Sequence, residues 1–185
     1  AQSLLDFRLA DPAVVGRGTL EGGADVFDDV DISLFSHPTS NLTIFNSTVD
    51  IGEMGVLANV RYRFEFYGKA AHAAGAPELG RSALDSVELM NIGVNYMREH
   101  MPDAARVHYA YLDAGGIAPN VVQARATVRQ LIRSPSLGGL SSLVERVRAI
   151  AEGAALMSGT RVTSRVFSAV SNLTENRPLS EAMQA

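Results

Sequence analysis

The sequence holds no cysteine among its 185 residues. That excludes a disulfide framework and any thiolate metal site, and it suits a reducing compartment. No apolar run approaches the ~20 residues that a membrane-spanning helix needs. The N-terminus has neither the basic start nor the apolar stretch of a secretion signal, so a cytoplasmic protein is expected. Asn41-Leu42-Thr43, Asn46-Ser47-Thr48 and Asn172-Leu173-Thr174 carry the glycosylation pattern; without such a signal they read as chance matches. Internal repeats and low-complexity tracts are also missing. A formal net charge of −4 speaks against nucleic acid or an acidic membrane as the main partner.

What is present is enough for an ordinary core: 46% of the residues are hydrophobic. The length suits one domain, or one domain with pieces of another. From Arg61 to Tyr67 the chain alternates strictly. Tyr62, Phe64 and Phe66 fall on one face and Arg61, Arg63 and Glu65 on the other, the pattern of a half-buried strand. Ser82 with Asp85 three residues on resembles a capping box, and Ala83, Val87, Met90, Val94 and Met97 then recur at helical spacing until Pro102. A second strand is expected over Val107 to Leu112, with Val107, Tyr109 and Tyr111 on one face. A third runs from Ala124 to Ile132 through Ala126, Val128 and Gln130. Leu140, Leu143, Val147, Ile150, Ala154 and Met157 mark a second helix, which Gly159 ends, and Val162 to Ala169 reads as a fourth strand. The order β-α-β-β-α-β predicts an α+β, ferredoxin-like sandwich: a four-stranded antiparallel sheet with two helices on one face. Residues 1–55 are rich in Gly, Asp and Ser and show no such period; the division expected is 1–55, 56–170 and 171–185.

Two loops hold the chemistry-bearing residues. In Tyr67-Gly68-Lys69-Ala70-Ala71-His72-Ala73-Ala74-Gly75-Ala76-Pro77 a strand ends at a glycine and one histidine stands among small residues. Small neighbours leave an imidazole free to reach something outside its own domain, although on residue type alone a helix-entry loop with an incidental histidine is the favoured account. The second loop is Gly115-Gly116-Ile117-Ala118-Pro119-Asn120-Val121-Val122. Asn120 there can present its amide to a carboxylate or carbonyl, or serve as a turn residue after proline. Arg133, after an apolar strand and before Ser134-Pro135, can fork onto a carboxylate or stand as a solvated charge. His37, at the end of the apolar run Phe27-Asp28-Asp29-Val30-Asp31-Ile32-Ser33-Leu34-Phe35 and before Pro38, has the setting of a divalent-metal ligand or of an exposed turn.

Gly-Lys-x-x-His-Ala-Ala at 68–74, Gly-Arg-Ser-Ala-Leu-Asp at 80–85, Gly-Gly-x-Ala-Pro-Asn-Val-Val at 115–122 and the strand-ending Arg133 occur in one order. Together they resemble the dimerisation, or lid, domain of the aminoacylase/carboxypeptidase family of two-metal amidohydrolases. The run from Val87 to His100 narrows the resemblance to the branch acting on aminobenzoyl-glutamate. The likeness covers roughly residues 21–185; residues 1–20 have no clear counterpart.

The resemblance implies a lid inserted into a larger catalytic domain, so both flanks are expected to be remnants of that domain. It implies an enzyme that hydrolyses the amide of an N-acyl or aminobenzoyl amino acid such as aminobenzoyl-glutamate, with two divalent ions, zinc or manganese. His37 matches a metal-binding histidine. His72 matches the histidine that reaches across a homodimer to the oxyanion of the partner's tetrahedral intermediate. Asn120 and Arg133 match a pair that holds the substrate's carboxylate. The dimer is expected to form through the lid sheet and the first helix. With four histidines in all, and neither a His-x-Asp motif nor a Glu-Glu pair for metal and base, the chain alone is expected to be inactive and to bind metal weakly. Gln123 stands where the family usually has proline, which is expected to loosen that loop. The alternative is a free-standing ferredoxin-like dimerisation or ligand-binding module without catalysis.

Overall fold

The computed structural model describes residues 57–172. His37 and nearly all of the two flanks lie outside the described residues. The alternation read at Arg61–Tyr67 belongs to a longer strand, β1 (Ala58–Tyr67), in which every second residue is buried. There follow α1 (Ala83–Arg98), β2 (Arg106–Asp113), β3 (Arg125–Ser134), α2 (Leu137–Ser158) and β4 (Arg161–Val170), with a single 3-10 turn at Pro77–Leu79 ahead of α1. All pairings are antiparallel and the strand order is β2-β3-β1-β4. This is the expected α+β, ferredoxin-like sheet with two helices.

Val60, Phe64 and Phe66 of β1 and Ala126, Val128 and Ile132 of β3 meet Val87, Met90 and Val94 of α1 and Leu140, Val147 and Ala154 of α2 in one core. Gln130 belongs to the same face and is fully buried; its amide donates to Asn91 Oδ1 at 3.0 Å across to α1. Ser82 caps α1 by accepting from the Asp85 N–H at 3.1 Å, the forward half of a capping box. Gly159, with φ 65°, ends α2 in the left-handed conformation that glycine adopts without strain.

Two expectations are corrected here. First, α1 stops at Arg98, before Pro102, and the Arg98 guanidinium caps the Val107 carbonyl of β2 at 2.7 Å and 3.0 Å. Second, Met157 is not a core residue but 68% exposed. The inward position of that last turn goes to Ser158, whose hydroxyl meets Ser86 at 2.7 Å. Tyr109 and Tyr111 share a face with Val107, as expected and as their register opposite Gln130 and Val128 requires, and they stand exposed while Val107 is buried. β2 is an edge strand, and α1 packs chiefly over β3 and β1.

The other face of the sheet carries Arg61, Arg63, Glu65, Arg125, Arg129 and Arg133, placed there by the period of two. Glu65 accepts from the Tyr67 hydroxyl at 2.8 Å and from Arg125 at 2.7 Å, and lies 2.8 Å from Arg63 Nε. The Tyr67 hydrogen bond, then the Arg125 hydrogen bond and the two guanidinium charges, hold this carboxyl below the usual range against an opposing desolvation cost. A depressed folded-state value means stability that is present above the ordinary glutamate value and lost as pH falls through the folded one. Urea unfolding at successive pH values should therefore show a shallower acid-side loss of stability in Glu65→Gln than in the native sequence. Identical acid slopes would contradict this.

Candidate functional site

β1 hands the chain to a loop that runs back along itself. Gly68 passes so close to the next segment that a Cβ there would sit 1.9 Å from the Arg81 carbonyl oxygen. This close approach lets Lys69 and Arg81 exchange hydrogen bonds of 2.8 Å and 2.9 Å, while the Gly68 N–H donates to the Ala124 carbonyl at 2.8 Å. The second loop is fastened to the first. The Ala73 N–H donates to the Asn120 carbonyl and the Val122 N–H to the Ala71 carbonyl, each at 2.9 Å, so that His72 and Val121 face each other as a short antiparallel bridge. Gly115 and Gly116, with φ of 88° and 106°, make the turn out of β2 that only glycine takes readily.

Gln123 does not loosen this arrangement. Its carbonyl accepts from the Ala83 N–H at 2.8 Å and its side-chain Oε1 from the Ser82 hydroxyl at 3.1 Å. A proline would give only the first of these. The glutamine thus ties the second loop to the start of α1, and its polar side chain, two residues before a strand, is the sequence signal for it.

His72 and Asn120 are therefore neighbours, and both are exposed. The imidazole is held from one side: Nδ1 accepts from the Ala74 N–H at 3.2 Å and the Gly75 N–H at 2.9 Å. Nothing in the sequence singles out these two backbone donors, which are two more small residues in a run of alanines.

Arg133 is elsewhere. It lies within β3 rather than after it, opposite Asn59 of β1 and Arg106 of β2, on the face away from the helices. From Arg125, at the end of β3 nearest the two loops, to Arg133 is eight residues of strand, roughly 26 Å. Within one chain Asn120 and Arg133 therefore stand toward opposite ends of β3, whereas the resemblance sets them on one carboxylate. The physical reason is the extended backbone of β3, which makes the strand the long axis of the domain. Among the described residues no three of His, Cys, Asp and Glu come together where they could hold a metal ion.

No family model matches the sequence. It is 49% identical over 158 residues to the B subunit of p-aminobenzoyl-glutamate hydrolase of Escherichia coli (strain K12), covering 85% of this chain and 31% of that protein. It is 32% identical over 149 residues to the indole-3-acetyl-aspartic acid hydrolase of Enterobacter agglomerans, covering 80% and 34%. The A subunit of the Escherichia coli hydrolase is 30% identical over 146 residues, covering 79% and 33%. The chain thus spans about a third of the length of these relatives. Among solved structures it superposes on an aminobenzoyl-glutamate utilization protein from Klebsiella pneumoniae with a TM-score of 0.58 at 26% identity, covering 69% of this chain and 32% of that one. A hydantoinase/carbamoylase family amidase from Burkholderia ambifaria, TM-score 0.63 at 14% identity over 70% of this chain and 32% of that one, shares the fold. With the two fastened loops, their glycines and this sheet order, the chain is a homologue of the p-aminobenzoyl-glutamate hydrolase B subunit and belongs to the amidohydrolase/peptidase family, in the part that forms its dimerisation domain.

Proposed function

We propose that this chain is the lid and dimerisation part of a metal-dependent amidohydrolase that cleaves the amide of an N-acyl or aminobenzoyl amino acid such as aminobenzoyl-glutamate. The observation that carries the reading is an exposed, backbone-held His72 in a loop fastened to the Asn120 loop at one end of the sheet, with Arg133 at the other. When water adds to an amide carbonyl, negative charge develops on the oxygen. A fixed imidazole N–H donor at that oxygen strengthens as the charge grows, and Asn120 lies in the neighbouring loop. Arg133, some 26 Å away by strand length, grips a carboxylate in a different active site from the one that His72 serves. Two sites served from two ends of one lid require two copies of the enzyme.

Two divalent ions, zinc or manganese, would supply an activated water in the intact enzyme. No three of His, Cys, Asp and Glu come together among the described residues to hold them, and His37 is this chain's one expected ligand. The part assigned here is the non-metal part: oxyanion donor, neighbouring amide and carboxylate grip. A general base must come from outside the chain. The chain alone, given zinc or manganese and a panel of N-acyl and aminobenzoyl amino acids, should show no turnover; metal-dependent hydrolysis by the chain alone would overturn the assignment. In the intact enzyme Arg133→Ala should raise KM about tenfold or more for a carboxylate-bearing substrate with little change in kcat, since a carboxylate grip acts on the ground state as well as the transition state.

The dimer is assigned to the edge of β2 that no strand among the described residues pairs with. Its centre displays Tyr109 and Tyr111, 38% and 44% exposed, with charge confined to the strand ends apart from His108, whereas β4 carries Arg161 and Arg165. An edge unpaired among the described residues can recruit a partner strand, and two-fold pairing with a second copy would run one sheet through both lids with the first helices alongside. Sedimentation at micromolar concentration should give a dimer that Tyr109→Lys converts to monomer; a dimer indifferent to the lysine would show that another surface is used. A second reading has its own support. Two of the relatives are named as the A and B subunits of one hydrolase, and this chain matches both. The strand edge would then pair with an A-type lid, and co-expression with one would draw this chain out of its homodimer. The remaining alternative, a free-standing module without catalysis, predicts that neither His72 nor Arg133 affects any hydrolysis. A cytoplasmic location is part of the same proposal; no helix among the described residues is long and apolar enough to cross a membrane.

A further inference from the structure

We propose that the backbone N–H groups of Ala74 and Gly75 form a clamp that fixes His72 in one tautomer, with the proton on Nε2, and that Gly75 is a positioning residue because it lacks a side chain. A neutral imidazole has one donor nitrogen and one acceptor nitrogen, and whichever accepts leaves the proton to the other. Both groups facing Nδ1 are N–H donors, at 3.2 Å and 2.9 Å. A proton on Nδ1 would face two others, so Nδ1 is the acceptor and Nε2 carries the hydrogen.

The choice of glycine follows from the ring rather than from the backbone. Gly75 is not among the glycines with positive φ, so its conformation is open to any residue. A Cβ at that position, however, would stand 3.3 Å from Nδ1 and 3.6 Å from Cγ of His72. That is tighter than ordinary carbon contact, so an alanine would tilt the ring and lengthen the bonds that set the tautomer. The ring is otherwise exposed. The two amides are thus its polar partners among the described residues, and Nε2–H is the atom left to face a ligand. The consequence for catalysis rests on the proposed function. An Nε2–H donor stabilises an oxyanion, whereas the opposite tautomer would turn a lone pair toward it.

The clamp can be tested on this chain without any catalytic domain. In protein labelled with nitrogen-15 histidine, with the His72 signals assigned by their loss in His72→Gln, long-range proton–nitrogen spectra report which ring nitrogen is protonated in the neutral form. The expected result is Nε2–H in the native sequence. Gly75→Ala should displace the His72 ring signals, and Gly75→Pro, which removes the 2.9 Å donor, should shift the tautomer ratio about fivefold toward Nδ1–H. If either variant fails to fold, the native spectrum still decides. Nδ1–H in the native chain, or a native tautomer mixture that neither variant changes, would overturn the clamp. Kinetics of His72 variants test the functional reading separately, so a silent His72 would remove the catalytic consequence and leave the spectra to judge the clamp.

Discussion

Replacing His72 with alanine in the intact enzyme is expected to lower kcat by about 10²–10³-fold while KM stays within a few fold. The asymmetry follows from where the contact acts. The amide carbonyl of the bound substrate has little charge for an N–H to hold, but the tetrahedral oxyanion has a full one, so the lost interaction belongs to the transition state. Two features of the loop make the effect large. The ring is pinned by two backbone hydrogen bonds, so it needs little rearrangement as charge develops. Its loop is fastened to the Asn120 loop by two further bonds of 2.9 Å, so the donor is carried by a paired segment rather than by a free tip. Steady-state kinetics with aminobenzoyl-glutamate measures it. Mixing copies inactivated in the catalytic domain with His72→Ala copies adds a second readout: if the histidine serves the partner's site, the mixture regains activity that neither parent has. Unchanged kcat in His72→Ala would end the oxyanion assignment and leave the fold untouched.

The second large effect is on stability. Gly68→Ala is expected to cost about 3 kcal/mol, equivalent to a fall in melting temperature of roughly 15 °C for a domain of this size. The added methyl would meet the Arg81 carbonyl oxygen at 1.9 Å and the Ala83 backbone nitrogen at 3.0 Å. Both are main-chain atoms, and neither can rotate aside. Relief requires the two segments to part, which breaks the paired Lys69 and Arg81 bonds and loosens the hold of Gly68 on Ala124. Gly153 in α2 is the matched control, because a Cβ there meets nothing within 4 Å; Gly153→Ala should stabilise by about 0.5–1 kcal/mol through helix propensity. Urea unfolding of the two variants side by side separates a close approach from a general preference for glycine. Equal stability of Gly68→Ala and the native sequence would mean that the loop path is wrong.

Much of the domain is legible in the order of its residues. The two faces of β1 follow from its period of two, and the observed burial alternates in step from Ala58 to Tyr67. Ser82 and Gly159 mark helix ends because one offers a side-chain acceptor to free N–H groups and the other tolerates φ 65°. The edge position of β2 is legible too, since the β-α-β-β-α-β order leaves the second and fourth strands outermost. These are local rules, or rules of connection, and one sequence carries them.

Other properties depend on what lies beside a residue, and periodicity is silent about that. Tyr109 and Tyr111 have the alternation of core residues but stand exposed at the edge, because burial is set by the helix above and not by parity. Met157 has helical spacing, yet Ser158 takes the inward place and bonds to Ser86, a residue 72 positions away. Gln123 reads as a flaw in a proline position and is a strut, because its partner is the Ser82 hydroxyl.

The candidate site divides in the same way. The sequence by itself determined the residue types and their order: a histidine among small residues, an asparagine in a glycine-rich loop and an arginine near a strand end. Chain order and side-chain chemistry are fixed by covalent structure. Only the tertiary structure decided which of them meet. Antiparallel pairing carried residues 73 and 120 to within a 2.9 Å hydrogen bond, and an extended strand carried Arg133 about 26 Å the other way. It also decided which imidazole nitrogen is free, because the amides of Ala74 and Gly75 come to Nδ1 only when the loop is folded. Separation along the chain and separation in space are unrelated once strands pair.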